Sequence, residues 1–137
     1  MILFMPHISK RKPDAKTVAD LENYLLSIMN KAGSKTRLRI FGELLTETEK
    51  IMLAKRLAII FLVRKGLSPY KISELLKISP STVERFEKSI EFGRYKNTSD
   101  WLWKNSKEGS FEALLESIVK LAFTGKTKSF KKFIDEF

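Results

Sequence analysis

Apolar residues recur at steps of three and four along most of the chain, and no stretch alternates with a period of two, so the pattern predicts helices throughout. Val18, Leu21, Leu25 and Ile28, with Tyr24 and Met29 beside them, form one apolar stripe on a helix spanning about 14 to 31. Gly33 supplies its stop, and Ser34 caps a short second helix carrying Leu38, Phe41 and Leu45. Thr46 followed by Glu49 has the spacing of a capping box, in which hydroxyl and carboxylate satisfy each other's orphan amides at a helix start. The third helix opened there runs to about Lys65 and ends at Gly66. Its second half, Leu57 to Val63, is apolar all round, which requires packing on more than one side, by the chain's own helices or by a second subunit.

Two short helices are predicted next. Ser68 caps the first, Pro69 takes the first helical position where a missing amide costs nothing, and Tyr70 to Leu76 makes two turns. Lys77-Ile78-Ser79 is a tight turn, and Ser79-Pro80 repeats the same start for a helix from Ser81 to about Phe92, with Gly93 at its end. This pair fits the helix-turn-helix template, in which two helices pack through a few apolar positions, need a small residue where they cross, and leave one face of the second helix polar for the major groove. Ile72, Leu76, Ile78, Val83 and Phe86 occupy the five apolar slots, and Ser73 is the small crossing residue. One departure is visible: Lys77 stands where the left-handed turn favours Gly. Further on, Ser99 is expected to cap a piece holding Trp101 and Trp103, which are expected to anchor the tail on the core, with stacking on bases as the alternative. Ser110 is expected to cap a helix with Leu114, Leu115, Ile118, Val119 and Leu121, and Phe130, Phe133, Ile134 and Phe137 to belong to a last short one.

Charge and composition restrict the chemistry. The 137 residues hold 26 Lys+Arg against 16 Asp+Glu, a net charge of +10. With no Cys and only His7, thiolate sites, disulfides, His-based triads and multi-His metal sites are excluded, and a non-catalytic protein without a resident cofactor is expected. The apolar runs are too short for a membrane span, and Met1 to Met5 lacks the makeup of a secretory leader, so a cytoplasmic protein is expected. The basic surplus is front-loaded: residues 1–40 carry eight bases and three acids, against six and four in 68–96. Lys10, Arg11 and Lys12 read as a phosphate-contacting arm. On the second helix of the pair, Ser81, Thr82, Glu84, Arg85, Lys88 and Ser89 face outward, and the first five of these, with Ser68, Tyr70, Lys71 and Ser79, form the expected DNA-contacting set. Two weaker signals point elsewhere. Gly125-Lys126-Thr127 lacks the Gly and the strand of a phosphate loop, and Glu108, Glu112 and Glu116 read as a solvated face.

The stretch from Leu44-Leu45-Thr46-Glu47-Thr48-Glu49 through Ala54-Lys55-Arg56-Leu57-Ala58-Ile59 to Ser68-Pro69-Tyr70-Lys71-Ile72 and Ser79-Pro80-Ser81-Thr82-Val83-Glu84-Arg85 resembles the Trp repressor family, in its broad group of Trp-repressor-like proteins. The resemblance implies an all-α helical bundle, an intertwined homodimer whose helices before the reading head cross between subunits, and a near-palindromic operator with half-sites roughly 34 Å apart. Beyond the stretch it covers, the chain is expected to divide into a basic arm (1–13), a Trp-repressor-like DNA-binding domain (14–96) and a helical extension (97–137). The resemblance also implies a repressor-like regulator of transcription that binds double-stranded DNA; the extension, nearly charge-neutral and rich in Phe and Trp, is expected to be able to take a protein partner. In that family L-tryptophan lies between two arginines, which match Arg56 and Arg85, beside a helix start matching Thr46 and near a serine matching Ser89. A glycine lining that pocket corresponds to Phe86, whose ring fills the space. The alternative function is a protein-interaction or assembly module, or an accessory DNA-binding factor in transposition or replication.

Overall fold

The computed structural model of the chain describes residues 12–107 and 109–122, with the side chains of 109, 110 and 122 left aside. The described residues form seven helices and no strand: α1 (Ala15–Lys31), α2 (Ser34–Leu44), α3 (Glu47–Lys65), α4 (Pro69–Leu76), α5 (Pro80–Glu91), α6 (Lys96–Lys104) and α7 (Gly109–Ala122). The chain divides into two compact units between Leu44 and Leu45.

The first unit holds α1 and α2. Asp14 caps α1, its Oδ1 accepting the Thr17 N–H at 2.6 Å. α2 begins at Ser34 itself, because the Gly33 carbonyl already accepts the Arg37 N–H, so Ser34 is the first helical residue and not the expected cap, and Leu45 falls just outside. Neither helix has a buried residue. Val18, Leu21, Tyr24, Leu25 and Ile28 on α1, and Leu38 and Phe41 on α2, are all exposed.

The second unit is built around α3. The capping box at Thr46 and Glu49 is formed, with Thr46 N–H on Glu49 Oε1 at 2.9 Å and Glu49 N–H on Thr46 Oγ1 at 3.1 Å. The helix ends where Gly66 adopts a left-handed backbone (φ 96°), and the Leu67 N–H closes back on the Leu62 carbonyl. Between these ends Ala58, Ile59, Ile60, Phe61 and Leu62 are buried. The all-round apolar run is covered within one chain, because α4, α5, α6 and α7 all pack on α3, and α4 packs on both α5 and α7. Its burial therefore requires no second subunit.

The stretch beyond Lys96 contributes to this core. α6 starts at Lys96, three residues before the expected cap, and Ser99 lies buried inside the helix, its hydroxyl accepting from Arg64 Nη1 at 3.4 Å. The residue that anchors α6 is Leu102, 3% exposed; Trp101 is 60% and Trp103 45% exposed, contrary to the expectation that the two tryptophans do so. On a helix successive side chains point about 100° apart, so with Leu102 aimed into the core the two tryptophans flank it on either side. Trp103 lies beside Phe61 at 5.9 Å between ring centroids and receives the Arg64 guanidinium at 5.2 Å, while Arg64 pairs with Asp100 at 2.6 Å. α7 begins one residue before Ser110, and Phe111, Leu115, Ile118 and Val119 enter the core, Phe111 meeting Phe61 edge-on at 4.9 Å. The helix expected around Phe130 to Phe137 and the Gly125-Lys126-Thr127 sequence lie outside the described residues.

Leu102→Ala should lower unfolding stability by about 2–5 kcal/mol, whereas Trp101→Ala should change it by about 0.5 kcal/mol or less, measured by urea denaturation followed by circular dichroism. A second expectation concerns acid. The backbone N–H of Thr46, and then its hydroxyl, hold the Glu49 carboxyl below its ordinary value of 4.5. A depressed folded-state value means that the capping stabilisation is present above the ordinary range and is lost as pH falls through the lowered value. Glu49→Gln should therefore flatten the decline of the urea midpoint below pH 4.5.

Candidate nucleic-acid interface

The α4–α5 pair is positioned by three buried apolar side chains and a closed turn. Ile72, Leu76 and Val83 are buried, and Ile78 and Phe86 pack half-buried against the same core, so all five template slots face inward. Ser68 caps α4 through the Lys71 N–H, and Ser79 caps α5 through the Thr82 N–H, each followed by Pro at the helix start. Ser73 donates its hydroxyl to the Ile78 carbonyl, tying the crossing point to the turn. Lys77 takes the left-handed conformation (φ 52°) that the turn requires, the sole positive φ outside glycine among the described residues. The cost of a side chain there, about 1–2 kcal/mol for an L-residue, is met by the packing on either side.

The outer face of α5 is polar as expected. Ser81, Glu84, Arg85 and Lys88 are exposed, and Thr82 and Ser89 are half-buried. Hydroxyls gather at its N-terminal end: Ser79 Oγ lies 3.2 Å from Ser81 Oγ and 2.8 Å from Thr82 Oγ1, and Arg85 Nη2 donates to Thr82 Oγ1 at 3.3 Å. On α4, Ser68, Tyr70 and Lys71 are exposed, and the Tyr70 hydroxyl lies 3.3 Å from Glu74 Oε1. A surface of short hydroxyls and one guanidinium at the first turns of an exposed helix suits base edges and phosphate oxygens. Residues 53–94 match the family model of homeodomain-like domains. No curated protein and no solved structure matches the chain.

The homeodomain-like match runs from Leu53 on α3 through α4 and α5 to Arg94, the same segment that the helix-turn-helix geometry occupies. It supports DNA binding by a helix-turn-helix domain, without singling out the Trp repressor family within that class. Of the arm residues, Lys12 is exposed, and Lys10 and Arg11 lie outside the described residues.

The residues expected around a small ligand are only partly brought together. Arg85 and Ser89 line one open cleft of about 320 Å³ with Thr82, Phe86, Arg94 and Tyr95, whereas Arg56 and Thr46 are not among its walls. Arg56 is exposed and makes no ion pair among the described residues. Phe86 forms part of its wall, the ring stacked on Tyr95 with centroids 5.6 Å apart at 20°. Arg94 and Tyr95 escaped the sequence reading because they follow the helix end; the signal was Gly93, whose left-handed backbone (φ 83°) folds the chain back towards α5. Glu112 and Glu116 are exposed, and no group of three or more metal-ligating side chains occurs among the described residues. No helix among them is long and apolar enough to cross a membrane.

Proposed function

We propose that this protein is a sequence-specific DNA-binding regulator of transcription, repressor-like, cytoplasmic and non-catalytic, acting as a homodimer on a near-palindromic site. The observation that carries the reading is the polar outer face of α5, held outward by a closed helix-turn-helix whose five apolar slots all face the core. In this reading Ser81, Thr82, Glu84, Arg85 and Lys88 meet base edges, Ser68, Tyr70, Lys71 and Ser79 meet the sugar-phosphate backbone, and Lys10, Arg11 and Lys12 add attraction independent of sequence. The likeness to Trp-repressor-like proteins belongs here too, since it supplies the dimer.

The exposed stripes of α1 and α2 support a dimer. Leu21, Leu25, Leu38 and Phe41 are exposed apolar side chains among the described residues, and a second copy offers an equivalent stripe. The same surface favours the second reading, a protein-interaction or assembly module, or an accessory factor in transposition or replication, in which a different protein covers it. The two readings differ in what DNA does.

A corepressor is not part of the proposal. The Thr46 hydroxyl is engaged in the capping box, and neither Thr46 nor Arg56 lines the cleft that Arg85 and Ser89 share with Phe86.

Selection of bound duplexes from a random pool should enrich a palindrome with half-sites one helical turn apart, equally with and without L-tryptophan. A pool that stays random would favour the assembly reading. Arg85→Ala should cost about 1–3 kcal/mol on the selected site and relax the choice at one position. Leu25→Glu should convert the dimer to monomer in sedimentation equilibrium and weaken binding to the full palindrome more than to a half-site; an unchanged mass would sink the dimer through α1.

A further inference from the structure

The cleft beyond α5 carries more positive charge than its walls neutralise. Arg85 and Arg94 both line it, together with the hydroxyl-bearing Thr82 and Ser89, and no carboxylate does. Neither guanidinium belongs to an ion pair among the described residues. Two like charges sharing one cleft repel each other, and an anion between them reverses the sign of that interaction. The position of Arg94 is set by its own backbone: its N–H closes on the Ser89 carbonyl at 3.0 Å, and the next residue, Tyr95, is stacked on Phe86. Arg94 therefore leaves a fixed point of the chain, as a side chain must if it is to bind an anion without a large ordering cost. Its planar fork matches two oxygens of a phosphate.

We infer that this cleft is a phosphate-binding site anchored by Arg94, with Arg85 adding its field from the same cleft, and that the phosphate it takes belongs to the DNA backbone beside the groove that α5 reads. The assignment to DNA rests on the proposed function; the phosphate chemistry rests on the cleft. DNA is favoured as the source because the cleft opens on the same face of α5 as Thr82 and Arg85, so a docked helix carries it to the edge of the groove. A phosphate contact fixes register and carries no sequence information, so Arg94 acts on all duplexes alike.

The test uses the full chain. Binding of a selected and a scrambled duplex is followed across salt concentrations, and the Arg94 side-chain resonance is followed during titration with inorganic phosphate against chloride at equal ionic strength. Arg94→Ala should weaken both duplexes about tenfold, leave their ratio unchanged and make the salt slope shallower by about 0.9. Arg94→Lys should keep the wild-type slope, because one charge still neutralises one phosphate. Wild-type protein that shows the Arg94 response to phosphate but binds no duplex, or whose duplex slope is unchanged by Arg94→Ala, keeps the phosphate site and overturns its assignment to DNA. The first of these outcomes also removes the regulator reading, and the second leaves it standing. An Arg94 resonance indifferent to phosphate, together with an unchanged slope in Arg94→Ala, overturns the inference altogether.

Discussion

The second unit depends on one constraint: a five-residue segment of α3, Ala58 to Leu62, has no polar face and must be covered on every side. A helix ordinarily presents one stripe to a core, and one partner layer suffices. Here α4, α5, α6 and α7 all pack on it, so the reading head and the C-terminal helices are held by the same shaft. This is why the short α4, eight residues with little independent helical stability, has a defined place. Three of its side chains, Ile72, Leu75 and Leu76, are buried in the shared core. The orientation of α5 then follows from the turn, which leaves its polar side no direction but outward.

Much of this was legible in the sequence because the signals were local and redundant. Each cap in the reading head sits one residue before a proline, the apolar slots follow helical period, and Gly66 and Gly93 both adopt the left-handed backbone their positions suggest. Lys77 is the instructive case. It occupies the glycine position of the turn and adopts φ 52° all the same, because the helices on either side are committed by burial before the turn residue's preference matters. Where the reading failed, the deciding information was not local. Trp101 and Trp103 are larger and more apolar than most residues of the tail, yet Leu102 is the one the core accepts, since facing direction and not size selects among three consecutive residues on a helix. The expected caps at Ser34, Ser99 and Ser110 share one cause: a serine is equally acceptable inside the first turn, and a preceding carbonyl had already started the helix at Ser34.

The candidate site was legible on α5 and illegible just beyond it. Outward-facing residues of a helix can be listed from period alone, and Ser81 to Ser89 stand where the period puts them. Arg94 and Tyr95 belong to the irregular segment after Gly93, and what returns them to α5 is the aromatic stack of Tyr95 on Phe86, a contact between residues nine positions apart that no local pattern announces. Phe86 thus has two roles. It is a slot of the helix-turn-helix and also the platform for the segment that brings a second guanidinium beside Arg85.

The all-round apolar run of α3 and the stripes of α1 and α2 look alike in sequence, as evidence for burial, but they carry opposite information about association. The run is satisfied inside one chain, so its presence says nothing about a partner. The stripes are not satisfied: Leu21, Leu25 and Ile28 remain exposed on a helix with a good cap and no buried residue. An isolated helix of this length is marginal in water, and most helical stability in proteins comes from packing of the apolar face. α1 therefore needs a covering surface to persist as the helix it is. Charge narrows the choice of cover. The first forty residues hold eight bases and three acids, so in the proposed homodimer the second copy would bring like charge, and apolar contact would have to lead the approach, with a polyanion across both copies offsetting the repulsion. On that argument association and DNA binding reinforce each other, and raising the salt concentration weakens the second while relieving the repulsion that opposes the first.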